Sequence, residues 1–280
     1  DIAMSKIIEL FGYSTELKNA NWSDISSKQY CPFLKKKCYK VRKSEPEVSI
    51  GSCTVLYKGN PLIICPARLV QDNQVFRDCL GLLDNRGDLR IISEVGIPGG
   101  KVDYFLVSVQ NDVVVDFAGI EVQAIDTTGS VWPERQKFLR KKGVINTEDR
   151  EFTGNFGINW KMTTKTTLFQ IHHKLLTFEH INKRLVLVIQ DKLFDYMSEQ
   201  FNFDHFHTPP EDNDSFRIHT YRMETGTQQE FRLALQSRLG TDAIGVAQCL
   251  GLRADARIEL STITQALTAR LPAALRLDDC

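Results

Sequence analysis

GIEVQAID, residues 119–126, and VDYFLVSV, residues 102–109, are the two segments around which we expect the fold to form. Both are rich in valine, isoleucine and aromatic residues, which favours neighbouring β-strands. Side chains alternate between the faces of a strand, so Glu121 and Gln123 share one face while the apolar residues beside them point to the other. Asp103 begins a nearly continuous apolar run, where an unpaired carboxylate would cost free energy. We therefore expect a positively charged group beside these acids.

A regular succession of strands and helices surrounds these two segments. Turn residues divide residues 89–126 into three strands, LRIISEVGIP, GGKVDYFLVSV and VVVDFAGIEVQAID. Apolar residues at helical spacing predict one helix before the strands, over residues 67–83, and a longer one after them, over residues 160–181. RLVLVIQ, residues 184–190, then has the pattern of a buried strand, and a helix over residues 191–201 follows. The succession predicts an α/β (α+β) fold in which helices flank a mixed sheet.

The two ends of the chain extend this core. A short amphipathic pattern in residues 4–20 predicts a brief helix, residues 215–223 predict a strand, and residues 228–240 predict a helix. The last fifty residues are rich in alanine and leucine at helical spacing. We divide the chain into an N-terminal segment at 1–66, a core at 67–223 and a C-terminal helical region at 224–280 that packs on the core.

The composition is that of a soluble globular protein, with 42% apolar and 25% charged residues among 280. Lysine and arginine together equal aspartate and glutamate at 35 each, which excludes a uniformly basic surface but allows local basic patches. The sequence contains no apolar run of membrane-spanning length and no recognisable secretory signal, so we expect no membrane partner and a cytoplasmic location.

Four of the seven cysteines, Cys31, Cys38, Cys53 and Cys65, lie in the first quarter of the chain. Without a sign of export, metal ligation or free thiols are favoured over a disulfide framework. Four thiolates suit tetrahedral zinc or iron, and metal bonds would stabilise a segment with few large apolar residues. The spacing lacks paired CxxC motifs, so a metal site and four buried or free thiols remain equally good interpretations.

Two clusters of basic residues lie on either side of the predicted strands. Each is either a solvated face or a surface that follows DNA phosphates, and the second cluster, just after the acidic strand, favours a DNA-facing loop. The first comprises Lys35, Lys36, Lys37, Lys40, Arg42 and Lys43, and the second comprises Arg135, Lys137, Arg140, Lys141 and Lys142.

Asp103 and Glu121 on adjacent strands provide the carboxylate oxygens that Mg²⁺ prefers. Gln123 follows at a spacing where many metal-dependent nucleases have lysine, but an amide cannot accept a proton, so it can only orient water. Glu94 on the preceding strand is a candidate additional ligand or, equally, a surface residue. Alternation places Asp126 on the face of Ile120 and Val122, where it would end the strand and would not be a ligand. The alternative interpretation is that these acids simply pair with basic side chains.

Five segments resemble the NotI family of type II restriction endonucleases. They are CPFL (31–34), CYK (38–40), GSCTV (51–55), IICPAR (63–68) and GIEVQAIDTTGS (119–130). The resemblance implies a PD-(D/E)xK nuclease core fronted by a four-cysteine module. In that module Cys31, Cys38, Cys53 and Cys65 would hold iron, or zinc in its place, and Asp103, Glu121 and Gln123 would form the magnesium site.

The resemblance also implies the activity and the partners. We expect a Mg-dependent type II site-specific deoxyribonuclease that hydrolyses double-stranded DNA and leaves 5′-phosphates, acting as a bacterial cytoplasmic homodimer on a GC-rich palindrome. Two alternatives remain open: a non-catalytic DNA-binding protein stabilised by metal, and a nuclease of the same fold with a repair or modification-dependent role.

Overall fold

The computed structural model describes residues 6–85, 87–145, 156–227, 229–251, 260–270 and 272. The strands are β1 (Ile7–Leu10), β2 (Tyr13–Ser14), β3 (Tyr30–Cys31), β4 (Lys36–Lys37), β5 (Val41–Arg42), β6 (Glu45–Ser49), β7 (Ser52–Tyr57), β8 (Asn60–Ile63), β9 (Asp88–Ile97), β10 (Gly100–Gln110), β11 (Val113–Gln123), β12 (Thr127–Thr128), β13 (Gly157–Ile158), β14 (Leu185–Gln190), β15 (Phe216–Thr225) and β16 (Phe231–Thr241). The helices are α1 (Trp22–Lys28), α2 (Pro66–Leu69), α3 (Gln74–Asp78), α4 (Trp132–Lys141), α5 (Trp160–His180), α6 (Asp191–Gln200), α7 (Ala243–Cys249) and α8 (Leu260–Thr268).

A six-stranded mixed sheet, in the order β16-β15-β14-β11-β10-β9, forms the centre of the fold. Strands β9, β10 and β11 form an antiparallel meander, while β14 runs parallel to β11 and β15 runs parallel to β14. Helix α5 lies in the connection between the parallel strands β11 and β14, as such a connection requires. The three-strand meander, the long helix and the buried strand that we predicted are therefore confirmed, as is the mixed α and β composition.

Each face of the sheet packs against helices. On one face Phe105 and Leu187 pack with Leu168 and Ile171 of α5 in one apolar cluster. On the other face Ile120 lies in a second cluster that includes residues of α2 and α3. Because aliphatic and aromatic side chains contribute about 1.5–3 kcal/mol each when fully buried, these layers fix the position of α5 over the sheet.

The N-terminal segment is built on a small sheet with the strand order β2-β1-β7-β8, and the predicted brief helix in residues 4–20 is wrong. Ile7 and Leu10 are fully buried in β1, which pairs with β7. The four residues of β1 gain more stability from pairing with β7 than they would gain as part of a short isolated helix. Helices of such length are marginal in water. The β3–β4 and β5–β6 hairpins complete the segment.

Residues 67–83 form a series of short helical segments, including α2 and α3, where we predicted one helix. The backbone has left-handed φ angles at Asp72 (52°) and Asn73 (56°), between α2 and α3. A right-handed helix cannot continue through such residues. The apolar side chains nevertheless face the sheet as predicted, with Leu69, Val75 and Phe76 buried.

Two further predictions are wrong. Residues 228–240 were expected to form a helix, but β16 pairs antiparallel with β15 over Phe231–Thr241, because tertiary pairing outweighs weak local helix propensity. Residues 134–142 were expected to form a loop, but α4 begins at Trp132, with Pro133 in its first turn. The C-terminal region from residue 224 therefore begins as a strand and continues as α7, and residues 252–259, 271 and 273–280 lie outside the described residues.

Among the residues that the structure describes, no helix is both long enough and apolar enough to cross a membrane.

Candidate active site

Asp103 and Glu121 lie side by side on the sheet. The β10–β11 register pairs Tyr104 with Ile120, which places Asp103 next to Glu121 on the face covered by α5. One carboxylate oxygen of Asp103 accepts a hydrogen bond of 2.9 Å from the backbone N–H of Val122. Glu121 is only 8% exposed and Asp103 is half-buried, so the Glu121 carboxylate has little access to bulk water.

Lys174 supplies the positive charge that we expected beside these acids. It lies on α5, and its Nζ donates a hydrogen bond of 2.7 Å to Oε1 of Glu121. The side chain is buried because α5 directs the same stripe, which includes Ile171, Leu175 and Phe178, toward the sheet. Sequence analysis did not assign Lys174 to the site, although a lysine in an otherwise apolar stripe was a usable signal.

The close approach of the β9–β10 hairpin holds α5 in place. Gly99 has φ of 98°, and a Cβ at this position would lie 2.7 Å from the backbone oxygen of His173. Thr177 donates a hydrogen bond of 2.7 Å to the carbonyl oxygen of Pro98. Glycine at residue 99 is therefore required for the contact that brings Lys174 to the acids.

Glu121 binds a proton unusually tightly. Burial raises its pKa, the negative charge of Asp103 raises it further, and Lys174 lowers it, with a resulting pKa of about 7. Two carboxylates facing each other in a poorly solvated site give this effect, and carboxyl groups of this kind are frequent at functional sites. A bound cation would relieve the repulsion between Asp103 and Glu121.

A cavity of about 490 Å³ opens onto these groups. Its charged lining comprises three lysines and three acids. The lysines are Lys40, Lys101 and Lys174, and the acids are Asp103, Glu121 and Asp126. Our placement of Asp126 on the apolar face is wrong, because β11 ends at Gln123 and alternation no longer applies beyond it. A phosphate group entering this cavity would meet the lysines as well as the pair of carboxylates.

Gln123 also lines the cavity, but Glu94 does not. The amide of Gln123 donates to the carbonyl oxygen of Ala124, which leaves its side-chain oxygen as the available acceptor. Glu94 is exposed, pairs with Lys101 at 2.8 Å, and lines a neighbouring cavity of about 290 Å³ together with Asp103 and Tyr104. Asp103, Glu121 and Gln123 are thus together, and Glu94 lies to one side.

The four N-terminal cysteines are buried, and the Cys53 thiol donates a hydrogen bond of 3.4 Å to the carbonyl oxygen of Gly51. In Cys31, Cys53 and Cys65 burial raises the pKa more than nearby backbone N–H groups lower it. Burial raises the pKa of these three thiols, and each is affected by the charge of another cysteine in the set. Among the described residues, no group of three or more His, Cys, Asp or Glu side chains has an arrangement that could hold a metal ion.

The basic clusters are only partly accessible. Lys35, Lys36 and Lys37 are exposed, while Lys40 is partly buried and donates to the carbonyl oxygen of Ile64 at 2.9 Å. Lys137, Arg140 and Lys141 project from the outer face of α4 into solvent. Arg135 is 4% exposed because it lies on the inner face of α4, so its assignment to a DNA-binding surface is wrong.

Comparison with known proteins identifies the family. A family model described as restriction endonuclease NotI matches residues 23–210, about two thirds of the chain. The chain belongs to the NotI family of type II restriction endonucleases. The NotI-family match covers the four cysteines, the acids on β10 and β11, and Lys174 on α5, so every group described above lies inside it. A search of curated proteins found no match.

Membership of the NotI family makes the protein a nuclease by relationship and DNA its expected partner. The match ends at residue 210, so β15, β16 and α7 lie beyond the part that the family accounts for.

Proposed function

We propose that the protein is a magnesium-dependent type II restriction endonuclease with a PD-(D/E)xK core, which hydrolyses double-stranded DNA at a specific sequence and leaves 5′-phosphates. The observation that carries this proposal is the pairing of Asp103 and Glu121 beside Lys174, in a cavity whose lining includes two further lysines. NotI-family membership supports the nuclease activity independently of that geometry.

Asp103 and Glu121 are the residues that would hold Mg²⁺. Their oxygens match the ligands that this ion prefers, and burial together with the charge of Asp103 raises the pKa of Glu121, an effect that a bound cation would relieve. Bound magnesium would lower the pKa of a water molecule and stabilise the leaving oxygen.

Lys174 and Gln123 position the other reacting groups. The ammonium group of Lys174 holds the charged form of Glu121 and can donate to a phosphate oxygen or to the attacking water. Gln123 can accept a hydrogen bond from that water but cannot remove its proton. Many metal-dependent nucleases have a lysine at the position that Gln123 takes on β11. We assign the chemical role of that lysine to Lys174, which lies on helix α5.

DNA binding and assembly follow from the same proposal. We assign phosphate contacts to the exposed lysines and arginine of the two clusters, namely Lys35, Lys36, Lys37, Lys137, Arg140 and Lys141, together with Lys40 at the cavity. A homodimer would present two active sites to the two strands of a GC-rich palindrome in the bacterial cytoplasm.

We further propose that the four cysteines bind one iron or zinc ion. Support comes from their common burial in one segment and from the type of ligand, since thiolate sulfur suits zinc and iron. As thiols they have no metal-site geometry, so the cysteine side chains would have to draw together on binding.

One observation favours a second function. The 2.7 Å ion pair between Glu121 and Lys174 is also what a non-catalytic DNA-binding protein would show if the acids merely paired with basic groups. A nuclease with a repair or modification-dependent role would retain the site but ignore unmodified target sequences.

Digestion of plasmid and phage DNA separates these functions. Discrete fragments with 5′-phosphate ends in the presence of Mg²⁺, and none with EDTA, are expected for the endonuclease. Site-specific binding without any cleavage would refute it in favour of the binding protein, and cleavage restricted to methylated or damaged DNA would favour the third role.

A further inference from the structure

Strand β9 forms one edge of the central sheet and is exposed along nearly its whole length. It pairs with β10 on one side, and within the part of the chain that the structure describes its other side presents unpaired backbone N–H and C=O groups. Nine of its ten residues are exposed. They include four large apolar side chains that are each 37–42% exposed, namely Leu89, Ile91, Ile92 and Val95.

The opposite edge of the sheet, β16, is protected in the usual way. Its exposed residues are polar, namely Arg232, Gln236 and Arg238, and its apolar residues are all partly or fully buried. Folded proteins commonly guard an edge strand with lysine, proline or short length, whereas β9 has ten residues with neither lysine nor proline. An exposed apolar edge of this kind indicates a surface that pairs with another strand.

The sequence of β9 is complementary to itself in one antiparallel register. Two copies related by a two-fold axis at Ile92 would place Arg90 of each copy opposite Glu94 of the other. Leu89 would meet Val95 in the same way, and Ile92 would meet its own counterpart on the axis. Residues directly opposite each other share a face of the sheet, so all of these contacts can form together.

Neighbouring registers are less favourable than the one centred on Ile92. Moving the axis to Ile91 would oppose Asp88 and Glu94, and moving it to Arg90 would oppose two arginines. Like charges directly opposite each other are destabilising. Moving the axis in the other direction by one residue would set the apolar Ile92 against Glu94. The pattern of charges therefore selects a single register for a second copy of the strand.

The charges of Arg90 and Glu94 are accessible for such a contact. Arg90 pairs with Asp88 at 2.7 Å, Glu94 pairs with Lys101 at 2.8 Å, and more than half of each of these four side chains is exposed. In the register centred on Ile92, negative and positive groups would alternate from Asp88 of one copy to Lys101 of the other. Glu94 has φ of 62°, yet β9 keeps the same register with β10 on both sides of it.

We propose that β9 is the surface through which two copies of this chain associate, with the two β9 strands paired antiparallel about Ile92. The two-fold axis of such a pair runs perpendicular to the sheet, so both acid pairs lie on the same face of one continuous sheet. Asp103 lies opposite Glu94, because Val102 pairs with Val95 and Tyr104 with Ser93. Strand spacings of about 4.8 Å and a rise of about 3.3 Å per residue then separate the two copies of Asp103 by roughly 20 Å.

This arrangement would present two active sites to the two strands of one duplex. The inference rests on the homodimer of the proposed function and adds the surface that forms it.

Charge reversal tests the register. Arg90→Glu would oppose glutamates on both sides of the axis and should weaken association of the full-length protein about 10–100-fold in analytical ultracentrifugation at low salt. Adding Glu94→Arg to the same chain exchanges the charges and should restore the dimer. Glu94→Gln alone should leave it in place, because an exposed ion pair contributes little. Val113→Asp is the matched control, since Val113 is 62% exposed but lies on β11, away from the edge strand.

A cysteine on the axis tests the contact directly. In Ile92→Cys the two facing Cα atoms would be about 4.5–5.5 Å apart, which is within the range of a disulfide. The native cysteines among the described residues are all buried. Mild oxidation should therefore convert Ile92→Cys to a covalent dimer on a non-reducing gel, and leave the wild type and Val113→Cys as monomers on the same gel.

Three results would overturn the proposal: a monomeric wild type, a dimer that persists unchanged in folded Arg90→Glu, or an Ile92→Cys protein that forms no cross-link. Circular dichroism establishes that each variant is folded, and where Arg90→Glu is not, the cross-link decides. DNA cleavage on the same samples separates this inference from the proposed chemistry. A monomer that cuts specific sites would remove the β9 interface alone, whereas a β9-linked dimer that cuts no DNA would remove the nuclease proposal alone.

Discussion

Glu121→Gln removes a carboxylate that is costly to ionise in the folded protein, and it should therefore abolish cleavage while raising stability. In the unfolded chain the pKa of this group is near 4.5, and in the folded protein it is about 7. The folded state consequently holds an extra proton between pH 4.5 and 7. The free energy of unfolding falls as pH rises through this window, and above pH 7 this group adds no further pH dependence.

The size of the effect follows from the two pKa values. At about 1.4 kcal/mol for each pH unit between them, ionised Glu121 costs the folded state about 3 kcal/mol at pH 8 and less than about 1 kcal/mol at pH 5. Glutamine resembles the uncharged carboxyl group, so the variant should be more stable than the wild type by about that amount at pH 8 in EDTA. Urea unfolding followed by circular dichroism at both pH values measures the difference.

In magnesium the wild type should become more stable than the glutamine variant. Binding to the wild type stabilises it by mass action, whereas the glutamine variant gains little. Apparent magnesium affinity of the wild type should rise between pH 6 and pH 8, because the proton on Glu121 competes with the ion. Glu94→Gln is the matched control, since Glu94 is exposed, and it should change neither cleavage nor stability. If Glu121→Gln in EDTA shows no gain in the free energy of unfolding that grows with pH, the assignment of Asp103 and Glu121 as a mutually repelling pair is refuted.

Three further outcomes test the remaining assignments. Lys174→Met should lower the cleavage rate at least about 100-fold with DNA binding retained, in kinetic and gel-shift assays, while Lys165→Met on the exposed side of α5 should cleave normally; equal rates would exclude Lys174 from the site. Cys38→Ser should lose metal, whereas Cys249→Ser should keep it, and unchanged metal content of Cys38→Ser by elemental analysis would refute the four-cysteine site. Lys141→Glu should weaken DNA binding on all sequences and reduce the slope of its salt dependence by about 1, and an unaltered slope in titrations would remove α4 from the interface.

Alternation along strands predicted the acidic half of the candidate site. Glu121 and Gln123 share a face, and Asp103 lies beside Glu121, because the pleat and the antiparallel register follow directly from local pattern. The same reasoning failed at Asp126, which lies beyond the end of the strand. Alternation predicts the side-chain face only as far as the strand itself extends.

Contacts between distant parts of the chain were beyond this kind of prediction. Lys174 is 53 residues from Glu121, and only the packing of α5 on the sheet brings the two together. Arg135 belongs to a run of cations that looks like a surface, yet the helix turns one of them inward. Strand β16 has residues that favour a helix in isolation, but β15 offers it a long partner.

Gly99 allows the β9–β10 hairpin to hold the candidate active site rigidly. Lysine is among the side chains that lose most conformational entropy when ordered, so a lone lysine is a poor means of fixing a charge in space. Here the hairpin backbone rests directly on the backbone of α5 next to Lys174, without long side chains between them. The entropic cost of ordering the ammonium group is met when the protein folds, so under the proposed function DNA would meet a preorganised charge.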